Sequence, residues 1–217
     1  MKARNMKGGI RHFVAAFAML LGSATAQAQV APSDTEIAAY KGLQKAAAAA
    51  DIAAIRQAGK NQTQLDARDG YGRTPLMVAA YAKQTDTATA LIVAGADLDV
   101  LDRDLYDVVT IVSVANDVTM LKLVLASGAK AGQMTSLYDG TALIAAAHLG
   151  HVEVVRTLIA AGAPLDHVNN LNWTALIESI VLGDGGQNYI ACLMALVEAG
   201  ADENIADGNG LQPLQLA

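Results

Sequence analysis

The chain has 217 residues, of which 53 % are hydrophobic, only 4 % are aromatic and 44 are alanine. This composition argues against a β-sandwich or β-barrel, whose strands favour β-branched and aromatic side chains, and it favours helices instead. The single cysteine, Cys192, excludes an intrachain disulfide framework and a cysteine-based zinc ribbon.

Residues 1–28 have the features of a secretory signal peptide. The basic residues of its leading part are Lys2, Arg4, Lys7 and Arg11. An apolar stretch at 13–21 and then small residues follow, and we expect cleavage near Ala26 or Ala28. The apolar stretch is about half of the roughly 20 residues that span a bilayer, so no stable membrane insertion is expected after cleavage. The sequence therefore predicts a periplasmic or secreted protein.

The charge of the predicted mature chain is strongly negative. It keeps all 21 acidic residues but only 11 of the 15 basic residues, which gives a net charge of −10. Nucleic-acid binding requires clustered lysine and arginine, so this class of partner is excluded. The negative charge weakly favours basic partners.

The first helix is predicted to start soon after the signal peptide. Ser33 followed by Glu36 resembles a capping box at the start of a helix.

From there the chain repeats with a period of about 33 residues. Leucine or valine recurs at intervals of 33, 33, 34, 33 and 38 residues, at Leu43, Leu76, Val109, Leu143, Leu176 and Leu214. A Gly-Ala pair follows four of these anchors, and the longest interval reflects five additional residues in one repeat. Such periodicity is typical of solenoid proteins.

Each repeat predicts two helices and a projecting turn. Thr74 can cap the first helix, Pro75 suits its first turn, and Leu76 begins its apolar face. A glycine such as Gly95 ends the second helix in a left-handed conformation. The polar stretch that follows suits a projecting β-turn, which we call a finger. One such unit cannot bury its apolar faces alone, so the units must stack.

Several segments resemble the ankyrin repeat. The first comprises 69–76, the alanines that follow it and 94–97. The second comprises 140–143, 150–155 and 161–163. The third comprises 173–176 and 198–202, and the last begins with 207–214. The resemblance covers about residues 35–217 and implies an all-α ankyrin-repeat solenoid with short β-turn fingers. The predicted units are 35–68, 69–101, 102–134, 135–168, 169–206 and a partial unit at 207–217. The first is degenerate, because Gly59 comes three residues before the expected helix end. The sequence stops inside the first helix of the last unit, so we expect either a fragment or self-association through this uncapped end.

The resemblance implies protein–protein recognition through the fingers and the inner helices. The candidate contact residues are Tyr71, Tyr106, Tyr138, His167 and Trp173 on fingers, and Tyr81, His148 and Glu178 on inner helices. Trp173 is equally consistent with a binding residue and with packing inside its finger. Glu178 lies at the position of the apolar Ala145, and it either reaches solvent at the groove edge or contacts a partner.

The alternative chemistry is a metal or hydrolytic centre at His148, His151 and Glu153. Zinc-binding helices usually space two histidines four residues apart, whereas here the spacing is three, and two histidines do not complete a zinc site. Cys192 falls at an apolar helix position, and no serine lies in a nucleophile elbow. The carboxylates of 97–104 lack the glycine and the glutamate that a calcium loop requires. We therefore predict a non-enzymatic binding module with no metal and no cofactor, the alternatives being the metal or hydrolytic protein and a structural, self-associating one.

Overall fold

The computed structural model describes residues 30–217, so the predicted signal peptide at 1–28 lies outside the described residues. Within 30–217 the regular structure is helical, and no strand occurs there apart from an isolated antiparallel bridge between Thr135 and Gly140. The helices are α1 (Asp34–Ala39), α2 (Gly42–Ala48), α3 (Ile52–Ala58), α4 (Gln62–Leu65), α5 (Pro75–Tyr81), α6 (Thr85–Ala94), α7 (Val108–Val114), α8 (Val118–Ala126), α9 (Ala142–His148), α10 (Val152–Ala160), α11 (Ala175–Val181), α12 (Gln187–Glu198) and α13 (Pro213–Leu216). None of these helices has the length and hydropathy needed to cross a membrane.

The helices stack in two layers, as the 33-residue period predicts. The inner layer consists of α2, α5, α7, α9, α11 and α13, and each of these helices packs on the next. The outer layer consists of α3, α6, α8, α10 and α12, which pack on one another in the same order. Their facing sides form one continuous apolar core. The predicted all-α solenoid is confirmed.

The helix ends follow from the capping residues. The side chains of Thr74, Asp107, Thr141 and Thr174 each accept a hydrogen bond from the backbone N–H three residues later, which starts the four inner helices α5, α7, α9 and α11. Ser33 and Glu36 form the predicted capping box of α1. Gly95 ends α6 with a left-handed φ of 103°.

The degenerate first unit differs from the others after its second helix. Helix α3 ends at Ala58, directly before Gly59, and the short α4 then begins at Gln62. Leu65 of α4 is fully buried in the core. The additional helix therefore supplies apolar contact that an early helix end would otherwise remove.

An aspartate or asparagine organises most of the finger turns. Asp69 Oδ1 accepts the N–H groups of Tyr71 and Arg73 at 2.8 and 2.9 Å. The same pair of bonds is made by Asp102, Asn169 and Asp207. In the fourth unit the turn is closed from Thr135 N–H to the Gly140 carbonyl, which spans one more residue than in the others. This additional residue accounts for the single 34-residue interval.

One finger position requires a left-handed backbone, and Leu105 is strained there. The position is filled by Gly72 in one finger and by Asn172 in another, whereas Leu105 has φ 62°. We expect Leu105→Gly to raise the free energy of unfolding by about 0.5–1 kcal/mol, because a leucine in this conformation is strained and a glycine is not. Urea unfolding measures the change.

Leu137→Gly is the matched control for this substitution. Leu137 is also an exposed finger leucine, but its φ is not positive. Its replacement should lower stability slightly, because glycine adds flexibility without relieving strain. Equal losses in both variants would contradict the strain at Leu105.

Candidate interaction surface

Backbone hydrogen bonds join the fingers side by side. The N–H groups of Arg103, Ser136 and Asn170 donate to carbonyl oxygens of the preceding finger, at Tyr71, Leu105 and Tyr138 respectively, each at 2.9 Å. Four consecutive fingers are therefore held at fixed spacing by main-chain atoms. We call this set of three bonds the finger ladder.

Exposed apolar side chains occupy the tips of these fingers. We call them the fingertip row, which consists of Tyr71, Leu105, Leu137 and Tyr138. Their exposed fractions run from 39 % for Leu105 to 68 % for Leu137. The guanidinium groups of Arg73 and Arg103 lie 4.7 and 5.9 Å from the centre of the Tyr71 ring, so cation–π contacts hold this ring in place.

Two of the predicted contact tyrosines are not free surface residues. Tyr106 is only 7 % exposed, because it follows the turn at the position of the buried Arg73 and points into the core; its prediction as a finger contact is wrong. Burial raises the pKa of Tyr106 to about 12. Tyr81 is partly buried, and its hydroxyl has no hydrogen-bond partner among the described residues. Burial raises the pKa of Tyr81 well above its usual range.

The remaining predicted finger residues are Tyr138, Trp173 and His167, and they differ in exposure and in hydrogen bonding. Tyr138 is 40 % exposed and belongs to the fingertip row. Trp173 is partly buried, and its backbone N–H donates to Asn169 Oδ1, the same turn bond that Arg73 makes to Asp69. His167 Nε2 bonds to the carbonyl oxygen of Asp139 in the preceding finger at 2.5 Å.

Glu178 and His148 are brought together across two neighbouring repeats. His148 Nδ1 lies 3.1 Å from Glu178 Oε2, and Asn169 Nδ2 donates to Glu178 Oε1 at 3.2 Å. The Glu178 side chain is 5 % exposed, whereas that of His148 is 34 % exposed. The Glu178 carboxylate does not reach solvent at the groove edge, because it is buried and both of its oxygens are hydrogen-bonded. Its contact with a partner stays a prediction. His148 is the exposed member of the cluster.

The proposed metal or hydrolytic centre does not assemble. His151 Nδ1 bonds to the Ser113 carbonyl of the preceding inner helix at 3.0 Å, and Gln84, at the same repeat position, bonds to Ala48 in the same way. Glu153 instead pairs with Arg156 on the surface. Within residues 30–217 no group of three or more histidine, cysteine or acidic side chains is placed to hold a metal ion. Cys192 is buried, and this burial raises the pKa of its thiol to about 11. A reactive nucleophile has a lowered pKa, so Cys192 fits an apolar core position instead.

A buried ionic network lies at the first finger. Arg73 is 1 % exposed and pairs with Glu36 and, at 2.7 Å, with Asp69. The Tyr40 hydroxyl donates to the same Asp69 oxygen at 2.7 Å. Burial opposes ionisation of Asp69, but the hydrogen bonds from Tyr40 and Arg73 outweigh it and lower its pKa.

Sequence reasoning missed Leu105 and Leu137 of the fingertip row and the network around Arg73. The available signal for the two leucines was an apolar residue inside an otherwise polar turn. For the network no local signal exists, because Glu36 and Arg73 are 37 residues apart in the chain.

Stacked helix pairs with ladder-bonded fingers define a repeat solenoid of the ankyrin type. A family model described as ankyrin repeats (3 copies) matches residues 110–207, and one described as ankyrin repeat matches residues 71–103. The chain belongs to the ankyrin repeat family. Ankyrin repeats are protein–protein interaction modules and are typically not enzymes.

Relatives share this architecture over most of their length. The ankyrin repeat protein YahD of Escherichia coli (strain K12) is 30 % identical over 86 % of this chain and 89 % of its own. A crystal structure of an ankyrin repeat domain from Acinetobacter baumannii AYE is 46 % identical, with a TM-score of 0.75 over 81 % of this chain and 89 % of that one. The crystal structure of the ankyrin repeat protein EF0377 is 30 % identical, with a TM-score of 0.74 over 82 % and 92 % of the two chains.

Proposed function

We propose that this protein is an exported, non-enzymatic binding module that recognises a protein partner in the periplasm through its fingertip row. The observation that carries this proposal is the run of exposed apolar side chains on consecutive fingers. Single exposed apolar residues are ordinary on protein surfaces, whereas a contiguous row of them marks an interaction surface.

The finger ladder makes this row suitable for binding. Because Tyr71, Leu105 and Tyr138 belong to turns joined by main-chain hydrogen bonds, little backbone freedom is lost when a partner docks. Tyrosine is also among the residues that contribute most to binding energy. The net charge of −10 after residue 28 favours a partner with a basic surface, mainly through faster association.

Export and binding can be tested in one experiment. The full chain, tagged at its C-terminus, is expressed in a Gram-negative host, and cross-linked complexes are captured from the periplasmic fraction. We expect the recovered protein to have lost its first 26 or 28 residues, which intact mass measures. A full-length mass, or recovery only from the cytoplasm, would contradict export.

The binding surface is tested with a triple variant of the fingertip row, Tyr71→Ser, Leu105→Asn and Leu137→Ser. We expect at least about tenfold weaker binding of the captured partner, because interface energy concentrates in a few such residues. The matched control replaces three exposed apolar residues of the outer helices, with Val93→Ser, Ile190→Ser and Met194→Ser. Equal losses in both variants would contradict the fingertip row as the binding surface.

A further inference from the structure

The repeats of this chain provide an internal comparison for Glu178. Its position on the inner helix is occupied by Val78, Ile111 and Ala145 in the three preceding units, and two of these, Val78 and Ile111, are buried. Folding of the unit therefore does not require a carboxylate there. Burying an ionised carboxylate is costly unless hydrogen bonds replace its water. The two bonds from His148 and Asn169 are that replacement, so the three residues form one cluster.

Asn169 matches Glu178 in a specific way. Other fingers have an aspartate here, namely Asp69, Asp102 and Asp207, and Asn169 Oδ1 makes the same two turn bonds that they make. Its Nδ2 then remains available and donates to Glu178. An aspartate at this position would keep the turn but would place a second carboxylate against Glu178.

The second ring nitrogen of His148, Nε2, makes no hydrogen bond within this cluster. A carboxylate oxygen can only accept, so the geometry of this contact assigns the ring proton to Nδ1, and in that tautomer Nε2 is a hydrogen-bond acceptor. Nε2 has no partner among the described residues, and a third of the side chain is exposed. The same inner-helix position is occupied by Tyr81, Val114 and Val181, all partly exposed. His148 thus lies in a row of partly exposed side chains on successive inner helices.

We propose that His148 Nε2 accepts a hydrogen bond from a lysine or arginine side chain of the bound polypeptide, with Glu178 and Asn169 as positioning residues. This inference rests on the proposed binding function and names the chemistry of the partner. Lysine and arginine carry donors and no acceptor, which suits a bare imidazole nitrogen. The carboxylate behind the ring and the net charge of −10 both favour a cationic donor over a neutral one.

The first test is the tautomer of His148, read from ring nitrogen resonances of the 15N-labelled full chain at about pH 8, where an ordinary histidine is neutral. We expect the Nδ1–H form in the wild type. In Glu178→Gln, Asn169 still donates to the amide oxygen, so the amide NH₂ faces His148 Nδ1 and the ring changes to the Nε2–H form. A glutamate that only stabilised the fold would not determine which ring nitrogen of His148 carries the proton. An Nε2–H form in the wild type, or no change in the variant, overturns the positioning role.

The second test is binding of a short alternating Ala-Lys peptide at fixed physiological salt. We expect the His148→Ala, Glu178→Gln and Asn169→Asp variants to bind this peptide at least about tenfold more weakly than the wild type does. We expect the same loss when the wild-type protein is given a peptide whose lysines are replaced by glutamine. His167→Ala is the matched control, because it removes a histidine from a finger while leaving this cluster intact. Circular dichroism confirms that each variant is folded.

Two outcomes of the binding test overturn the inference. One is that the lysine peptide fails to shift the His148 ring resonances, and the other is that His148→Ala binds it as tightly as the wild type. Either result leaves the fingertip experiment unaffected, because that experiment uses a captured partner and different residues. Loss of partner capture in both the fingertip and the control variants would instead count against the proposed function itself.

Discussion

Replacing Arg73 with alanine should lower the free energy of unfolding by about 3–5 kcal/mol, the usual result of removing one partner from a buried ion pair. The substitution leaves Asp69 buried without its cation, and it removes the pair with Glu36 as well. Among residues 30–217, Tyr40 would then be the remaining side-chain donor to Asp69. Urea unfolding at pH 7 measures the loss.

Arg156→Ala is the matched control for this prediction. Arg156 also pairs with a carboxylate at 2.7 Å, that of Glu153, but both side chains are more than half exposed. Exposed pairs contribute at most about 1 kcal/mol, so little change is expected. Similar losses in the two variants would contradict the importance of burial around Arg73.

The same network predicts a pH dependence. The pKa of Asp69 is lowered in the folded state, so its contribution to stability is fully present above the ordinary aspartate pKa of about 3.9. The contribution is lost as the pH falls through the folded-state pKa. Acid destabilisation should therefore be weaker in Arg73→Ala, which has already lost this contribution, than in the wild type.

Replacing Asp107 with threonine should raise the free energy of unfolding at pH 7 by about 1–3 kcal/mol. Asp107 caps α7 and is 1 % exposed, and burial raises its pKa to about 6 despite the hydrogen bonds from Thr110. An ionised carboxylate is thus held in the core at pH 7. Thr74 and Thr141 cap the corresponding helices without a charge, so the replacement keeps the cap.

The sign of the pH effect identifies the cause. Because the folded-state pKa of Asp107 is above the unfolded value, the folded state binds more protons between about pH 4 and 6. The advantage of the threonine variant should therefore shrink as the pH falls through that range. Asp51→Thr is the control, since Asp51 caps α3 from an exposed position and its replacement should change little. A gain at Asp107 that is constant with pH would contradict the buried charge.

Sequence patterns predicted those parts of the fold that depend on neighbouring residues. The cap at Thr74, the capping box at Ser33, and the left-handed Gly95 were all predicted, and the structure confirms them. Each involves residues at most three positions apart, or a single backbone angle. The same holds for the period, because it repeats one local pattern.

The parts that were wrong or missed depend on contacts between repeats. The direction of the Tyr106 side chain is set by how its finger lies against the core, which the local sequence does not specify. Glu178 was identified as unusual, but its partner His148 is 30 residues earlier and lies on the neighbouring inner helix. The strain at Leu105 was not predicted, because an apolar residue in a turn does not by itself indicate a left-handed backbone.

The finger ladder also has a consequence for how such a protein can evolve. Its bonds join main-chain atoms of Arg103, Ser136 and Asn170 to those of the preceding finger, so they form whatever side chains the tips carry. Substitutions at the tips can then alter recognition while the scaffold persists. New binding specificities can therefore evolve at the fingertips at little cost to folding, whereas the densely packed helices tolerate fewer substitutions.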